Sequence, residues 1–191
     1  MLRTEKNDPR FKRTRSLILQ SFNHLLAEKN FESISVQDVT HAAQINRATF
    51  YAHFQDKYAL LDYSINQMFM EEIEKRTLNV CHYTPENLKS LILAVCDFLS
   101  RLHHDCAQPH QQFESLVETQ IKKQIYDLLS HWLEQVKSPL STEIPATVAT
   151  WAIYGLASHW SHSKKRPALE KFVEEALPLV AVNLEQFAQT A

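Results

Sequence analysis

The stretch NRATFYAHFQDKYALL, Asn46 to Leu61, decides how the chain is read. It holds four aromatic residues in nine positions, Phe50, Tyr51, Phe54 and Tyr58. Interleaved with them stand Arg47, Thr49, His53 and Lys57, each able to hydrogen-bond an acid. On a helical wheel Phe50 and Phe54 share one face, with Ile45 beside them. Arg47, Thr49, Tyr51, Ala52 and His53 fall on the other sides. A helix this short is marginal in water and has to be held by packing. Its outer face is thereby free to be chosen for another task.

Working outward, helix signals punctuate the chain. Asp8-Pro9 is an N-cap and first-turn pair for a helix that fades near Lys29 and Asn30. Ser35 caps a second, short helix ending near Ala43, with Asp38 as capping-box partner and Ile34 and Val39 as a hydrophobic staple. Asn46 caps the third. Two short helices joined by about three residues form a helix-turn-helix. Gln44 stands where such a turn takes glycine, a position that calls for positive φ. Asp56 caps a fourth helix from Lys57 to about Val80. Thr84-Pro85 opens a fifth, reaching about Leu102. Segments near 109–118 and 119–136 continue the helical period, Ser138 to Pro145 links, and a helix follows from about Pro145 to Ser163. The last runs from Pro167 to about Gln189, with a kink or break expected at Pro178.

Composition agrees. The chain has 191 residues and a single glycine, which argues against β-hairpins and Gly-rich phosphate loops. The fold class expected is all-α, with a helix-turn-helix domain at 1–56 and a helical regulatory and dimerisation domain at 57–191. Residues 1–57 hold nine Lys and Arg against six Asp and Glu, or +3; the remainder holds eleven against sixteen, or −5. A basic front and an acidic body suit a protein whose front alone meets an anionic polymer. Cys81, Cys96 and Cys106 have no zinc-like spacing and suit reduced thiols. With no apolar signal region and no span free of polar residues, a cytoplasmic protein without membrane contact is expected.

Several cations break local rules. Lys57 lies in the first turn of its helix, and Arg10, Lys12, Arg13 and Arg15 crowd the first turns of helix 1. The macrodipole disfavours each by about 0.3–1 kcal/mol when unpaired. A phosphate would resolve all of them, accepting from helix amides and pairing with the cation. Double-stranded DNA is therefore the partner expected. Arg47 can reach guanine O6 and N7, and Gln37 a base edge or a phosphate. Thr49, Tyr51, His53, Lys57, Arg10 and Arg13 are the phosphate positioners. Ala48 and Ala52 allow close approach. The rival reading of Tyr51 is packing on helix 1, and of His53 a cap or a solvated ring.

The run SVQDVTHAAQINRATFYAHFQDKYALL, preceded by a basic helix ending LLAEKNF, resembles the N-terminal domain of TetR-family transcriptional regulators. Thr49, Tyr51, His53, Phe54, Lys57 and Leu60 match that family's T-x-Y-x-H-F-x-x-K-x-x-L pattern in order and spacing. Its usual glycines are replaced by Asn30, Gln44 and Ala48. The resemblance implies an all-helical homodimer of about nine helices per chain. It also implies DNA binding by paired helix-turn-helix units and a variable C-terminal domain that often senses a small ligand. Repression at a near-palindromic operator is the function expected. A co-activator or interaction module controlled by a partner protein is the alternative.

In the C-terminal part, Trp151 and Gly155 lie along one side of an uncharged helix. With Phe172, Val173, Leu177, Val180 and Leu184 of the last helix they form the expected dimer interface, as half of a four-helix bundle. Phe69, Phe98, Phe113, Trp132 and Tyr154 are the candidate ligand pocket, against a simpler reading as core. His103, His104, Asp105, Cys106 and His110 are too closely spaced on one loop to close a metal site alone. No catalytic arrangement stands out, so neither an enzyme nor a cofactor is expected.

Overall fold

Eight α-helices and one 3-10 turn make up the secondary structure among the residues that the computed structural model describes, 8–76, 82–105, 111–135 and 141–185. In order they are α1 (Pro9–Glu28), the 3-10 turn (Phe31–Ser33), α2 (Val36–Ala42), α3 (Arg47–His53), α4 (Lys57–Arg76), α5 (Pro85–Asp105), α6 (Gln111–Glu134), α7 (Glu143–His162) and α8 (Leu169–Ala181). The caps are those the sequence signals. Asp8 accepts from the Arg10 amide at 2.8 Å, and Asn46 from Thr49 at 2.7 Å. Asp56 accepts from Ala59 at 2.8 Å, and Thr84 from Asn87 at 3.0 Å. Ser35 and Asp38 complete a reciprocal capping box, which holds the Asp38 carboxyl down at about 2, chiefly through the Ser35 hydroxyl.

The chain divides into two compact units, Met1–Ile65 with Asp105–Leu116, and Asn66–His104 with Val117–Ala191. The division falls inside α4, which runs unbroken across it. In the first unit Ile18, Phe22 and Leu25 of α1 are buried together with Phe31, Ile34, Val39, Phe50, Phe54 and Leu60. Both members of the Ile34–Val39 staple are thus core. In the second unit the core draws on α4 to α8, including Phe69, Leu88, Ile92, Ile121, Ile125, Trp132 and Ile153.

A charged knot joins α4 to α5 within the second unit. Glu72 is only 5% exposed, and a buried carboxylate needs partners. It receives Lys75 at 3.6 Å and the Arg76 Nε at 3.5 Å from its own helix, and Arg101 from α5. Arg76 also pairs with Asp97. Burial pushes the neighbouring Cys96 thiol up to about 12, so it is an inert packing group. Cys81 and Cys106, with His110, lie outside the described residues.

Three expectations change. The break near 118/119 does not exist: α6 is continuous through it, because Val117, Ile121 and Ile125 keep one buried stripe. The last helix, expected over 167–189 with a kink or break at Pro178, is described over Leu169–Ala181 and ends three residues after that proline; residues 186–191 lie outside the described residues. The 3-10 turn at Phe31–Ser33, not foreseen, seats the Phe31 ring in the core.

Gln44 has φ 52°, the one non-glycine residue with positive φ among those described. That conformation costs an L-residue about 1–2 kcal/mol, and glycine gives back part of the gain as chain entropy. Gln44→Gly is therefore expected to stabilise the fold by on the order of 0.5–1 kcal/mol, read as a higher midpoint in thermal or denaturant unfolding.

Candidate nucleic-acid interface

The outward helix is α3, two turns long. Phe50 is fully buried behind it and Phe54, which closes it, is 4% exposed. The opposite side carries Arg47, Ala48, Tyr51 and Ala52, all exposed. Arg47 makes no hydrogen bond or ion pair with the described residues, so its guanidinium is available. Tyr51 is half exposed, and its ring meets Phe50 edge-on at 5.5 Å. Arg10 and Arg13 are exposed on the first turns of α1, and Gln37 is exposed on α2. Gln37 edges an open groove of about 380 Å³ that Leu25, Lys29, Ser35, Asp38, His41 and Ala42 also line.

Three predicted phosphate positioners have other employment. Lys57 is the clearest. Its Nζ donates to the carbonyls of Phe31 at 3.0 Å, Glu32 at 3.1 Å and Ile34 at 2.9 Å. An ammonium has three N–H groups, so all are engaged. The ammonium also lies 4.6 Å from the Phe31 ring centroid. The cation at the start of α4 is thus explained from within the fold, by the carbonyls around the 3-10 turn, and not by an absent phosphate. Thr49 donates its hydroxyl proton to Asn46 at 2.9 Å, reinforcing the cap of α3. His53 is half-buried and stacks on Phe11 at 3.9 Å. Burial, and then the charge of Arg15, holds its pKa below the usual histidine value, which favours a neutral ring.

Arg15, expected among the exposed cations, is sandwiched. Its guanidinium lies 4.2 Å from the Tyr63 ring and 5.1 Å from the Phe54 ring. Phe11, Tyr63 and Phe31 were the residues missed here, since single aromatics at helical spacing carry no signal beyond core.

The candidate pocket residues are divided between the two units, and each is described within its own unit. Phe69 and Phe98 meet edge to face at 5.5 Å and, with Trp132, are buried core of the second unit. Phe113 belongs to the first unit and packs on Phe31 at 6.0 Å. Tyr154 is partly exposed, 5.6 Å from the Lys122 ammonium.

The interface residues also divide. Val173, Val180 and Leu184 are fully buried within their own chain and so cannot form an interface; they are core. Phe172 and Leu177 are half-buried, Phe172 lying 6.4 Å from Trp160. Trp151, by contrast, is 60% exposed, and Gly155 has open space where a Cβ would stand. Ile144 at 71% and Val148 at 43% continue that stripe along α7, and Leu179 of α8 and Val182 just after it are exposed. Trp151 and Gly155 were expected on that side; Ile144 and Val148 were not, because from Ile144 to His162 the helix carries no Lys, Arg, Asp or Glu to set one face apart.

Among the described residues no group of three His, Cys, Asp or Glu is placed to hold a metal, and no helix is long and apolar enough to cross a membrane.

A capped, buttressed two-turn helix with an open outer face is the geometry of a helix-turn-helix DNA-binding protein. Residues 18–63 match the family described as bacterial regulatory proteins, tetR family. Over 72 residues the chain is 38% identical to the uncharacterized HTH-type transcriptional regulator YxbF of Bacillus subtilis (strain 168), covering 37% of this chain but only 19% of that longer protein. Over 137 residues it is 28% identical to the HTH-type dhaKLM operon transcriptional activator DhaS of Lactococcus lactis subsp. lactis (strain IL1403), covering 65% of this chain and 70% of DhaS. The fold is shared with a TetR-family regulator from Streptomyces coelicolor A3, at TM-score 0.67 and 14% identity, over 94% of this chain and 98% of that one. Residues 18–63 thus carry the N-terminal domain of the tetR family of bacterial regulatory proteins, and the rest of the chain shares the fold of solved TetR-family regulators.

Lys57→Met removes three charge-assisted bonds and is expected to destabilise the first unit by about 2 kcal/mol. The slope of log affinity for DNA against log salt should stay unchanged. A phosphate contact at Lys57 would instead lower that slope by about 0.9.

Proposed function

We propose that the chain is a sequence-specific repressor that binds a near-palindromic operator as a homodimer in the cytoplasm, with affinity controlled through its C-terminal part. The observation that carries this is the outer face of α3, where Arg47, Ala48, Tyr51 and Ala52 are exposed behind a buried Phe50 anchor. Arg47 is the base reader, bidentate to guanine. Tyr51, Arg10 and Arg13 position the backbone, Ala48 and Ala52 let the helix approach, and Gln37 adds a contact from α2. Two such helices would enter successive major grooves about 34–36 Å apart, or a multiple of that. The functional head comprises residues 1–56, and the regulatory part residues 57–191. α4 opens the regulatory part directly behind the head, so a shift of α4 on binding a small-molecule effector would alter the spacing of the two heads.

The homodimer is supported by the exposed apolar stripe of α7. Ile144, Val148, Trp151 and Gly155 follow one another at four, three and four residues, on a single helix face. Gly155 would let a symmetry-related backbone approach closely, in an isologous contact. Trp151→Glu should therefore shift the protein from dimer to monomer in analytical ultracentrifugation; a variant that stays dimeric would remove α7 from the interface.

The decisive experiment is a gel shift with the DNA upstream of the chain's own gene, across salt concentrations. A steep salt slope together with preference over random DNA is expected. Arg47→Ala should cost about 1–3 kcal/mol on the preferred site and relax its sequence, while changing random-DNA affinity far less. Equal binding of wild type to both DNAs would end the sequence-specific reading. A second reading, activation in place of repression, is favoured by the relative DhaS, whose name is that of a transcriptional activator.

A further inference from the structure

α3 has seven residues and one fully buried anchor, Phe50. A single ring fixes where a two-turn helix sits but leaves rotation about that ring soft. Rotation decides which side chains face outward. Residues three apart lie about 60° apart around a helix, so Arg47 and His53 flank Phe50 on opposite sides. A contact at His53 therefore works as a stop against rotation, and one exists. The His53 ring lies 3.9 Å from that of Phe11, tilted by 33°. Its Nδ1 is buried with no partner among the described residues. That nitrogen adds nothing to the hold, and the ring is gripped through its face.

Phe11 is itself well placed to act as the fixed partner. It lies in the first turn of α1, where Asp8 accepts from the Arg10 amide through its side chain at 2.8 Å and from the Lys12 amide through its carbonyl at 3.1 Å. One turn later Arg15 lies over Phe54. The opening turns of α1 thus grip the C-terminal end of α3, while the Asn46 cap holds the other end.

We propose that Phe11 is a positioning residue for the recognition helix. Its face contact with His53 sets the rotation of α3 about Phe50 and so sharpens base discrimination, without Phe11 touching DNA. The inference rests on the reading of α3 as the base-reading element.

The test uses the full chain and its Phe11→Ala, Phe11→Leu and Phe11→Tyr variants. Each is put through selection from a randomised double-stranded DNA library, then titrated against the wild-type consensus and against random DNA of equal length. Phe11→Ala is expected to lower the ratio of the two affinities by roughly tenfold, within what one misplaced base contact is worth, and to broaden the selected consensus. Random-DNA affinity and its salt slope should stay within about twofold of wild type, since the phosphate contacts are kept. Phe11→Tyr keeps the ring face and should keep the ratio. Phe11→Leu keeps bulk without the face and should lose the ratio; it decides the matter if Phe11→Ala does not fold. An unchanged ratio in folded Phe11→Ala or Phe11→Leu overturns the proposal, as does an equal loss on both DNAs. A wild-type chain that selects no consensus overturns the DNA-reading function itself, and the inference with it.

Discussion

Two helices of seven residues each, α2 and α3, must hold their shape in a solvent where isolated helices of that length unravel. Everything in the first unit answers that constraint. Both helices are capped by their own preceding residue, Ser35 and Asn46. Both put one apolar residue, Val39 or Phe50, fully into the core. The longer helices α1 and α4 then act as rails. α1 supplies Phe11 and Arg15 to the end of α3, and α4 supplies Lys57 to the carbonyls in front of α2. What remains outward on α3 is small or unpaired, which suits a surface that must approach another molecule closely.

The cations of the N-terminal region share a type but not a task. Arg47, Arg10 and Arg13 stand in solvent. Arg15 is held between two aromatic rings, where a guanidinium is favoured by its flat, weakly hydrated form. Lys57 sits on three carbonyls, as a compact ammonium with three separate donors can. Glu72 in the second unit shows the reverse case, a buried acid collecting Lys75, Arg76 and Arg101. Charge that looks misplaced against one helix is thus correctly placed against the next.

Much of this was legible beforehand because it is local. Caps, staples, the helix-turn-helix spacing and the strained turn at Gln44 are each set by residues within five positions of one another. The inward role of Phe50 and Phe54 follows from the same short range. What was not legible depends on partners far along the chain. Lys57 meets residues 23 to 26 positions away, and no local rule distinguishes a carbonyl nest from a phosphate. Val173, Val180 and Leu184 fall on an apolar stripe that could face inward or outward, and only packing against the rest of the second unit decides. On α7 the sequence placed Trp151 and Gly155 along one side but did not extend that side to Ile144 and Val148. The helix carries no Lys, Arg, Asp or Glu from Ile144 to His162, so charge contrast cannot tell the buried face of Ala149 and Ile153 from the open face of Val148 and Trp151.

The Lys57 nest has a further property. Its partners are neutral backbone oxygens, which neither gain nor lose a proton in the range where proteins fold. The joint between the 3-10 turn and the start of α4 therefore has no carboxylate whose protonation could release it. Acid that loosens an ion pair elsewhere leaves this contact in place, and it opens when the first turn of α4 is displaced.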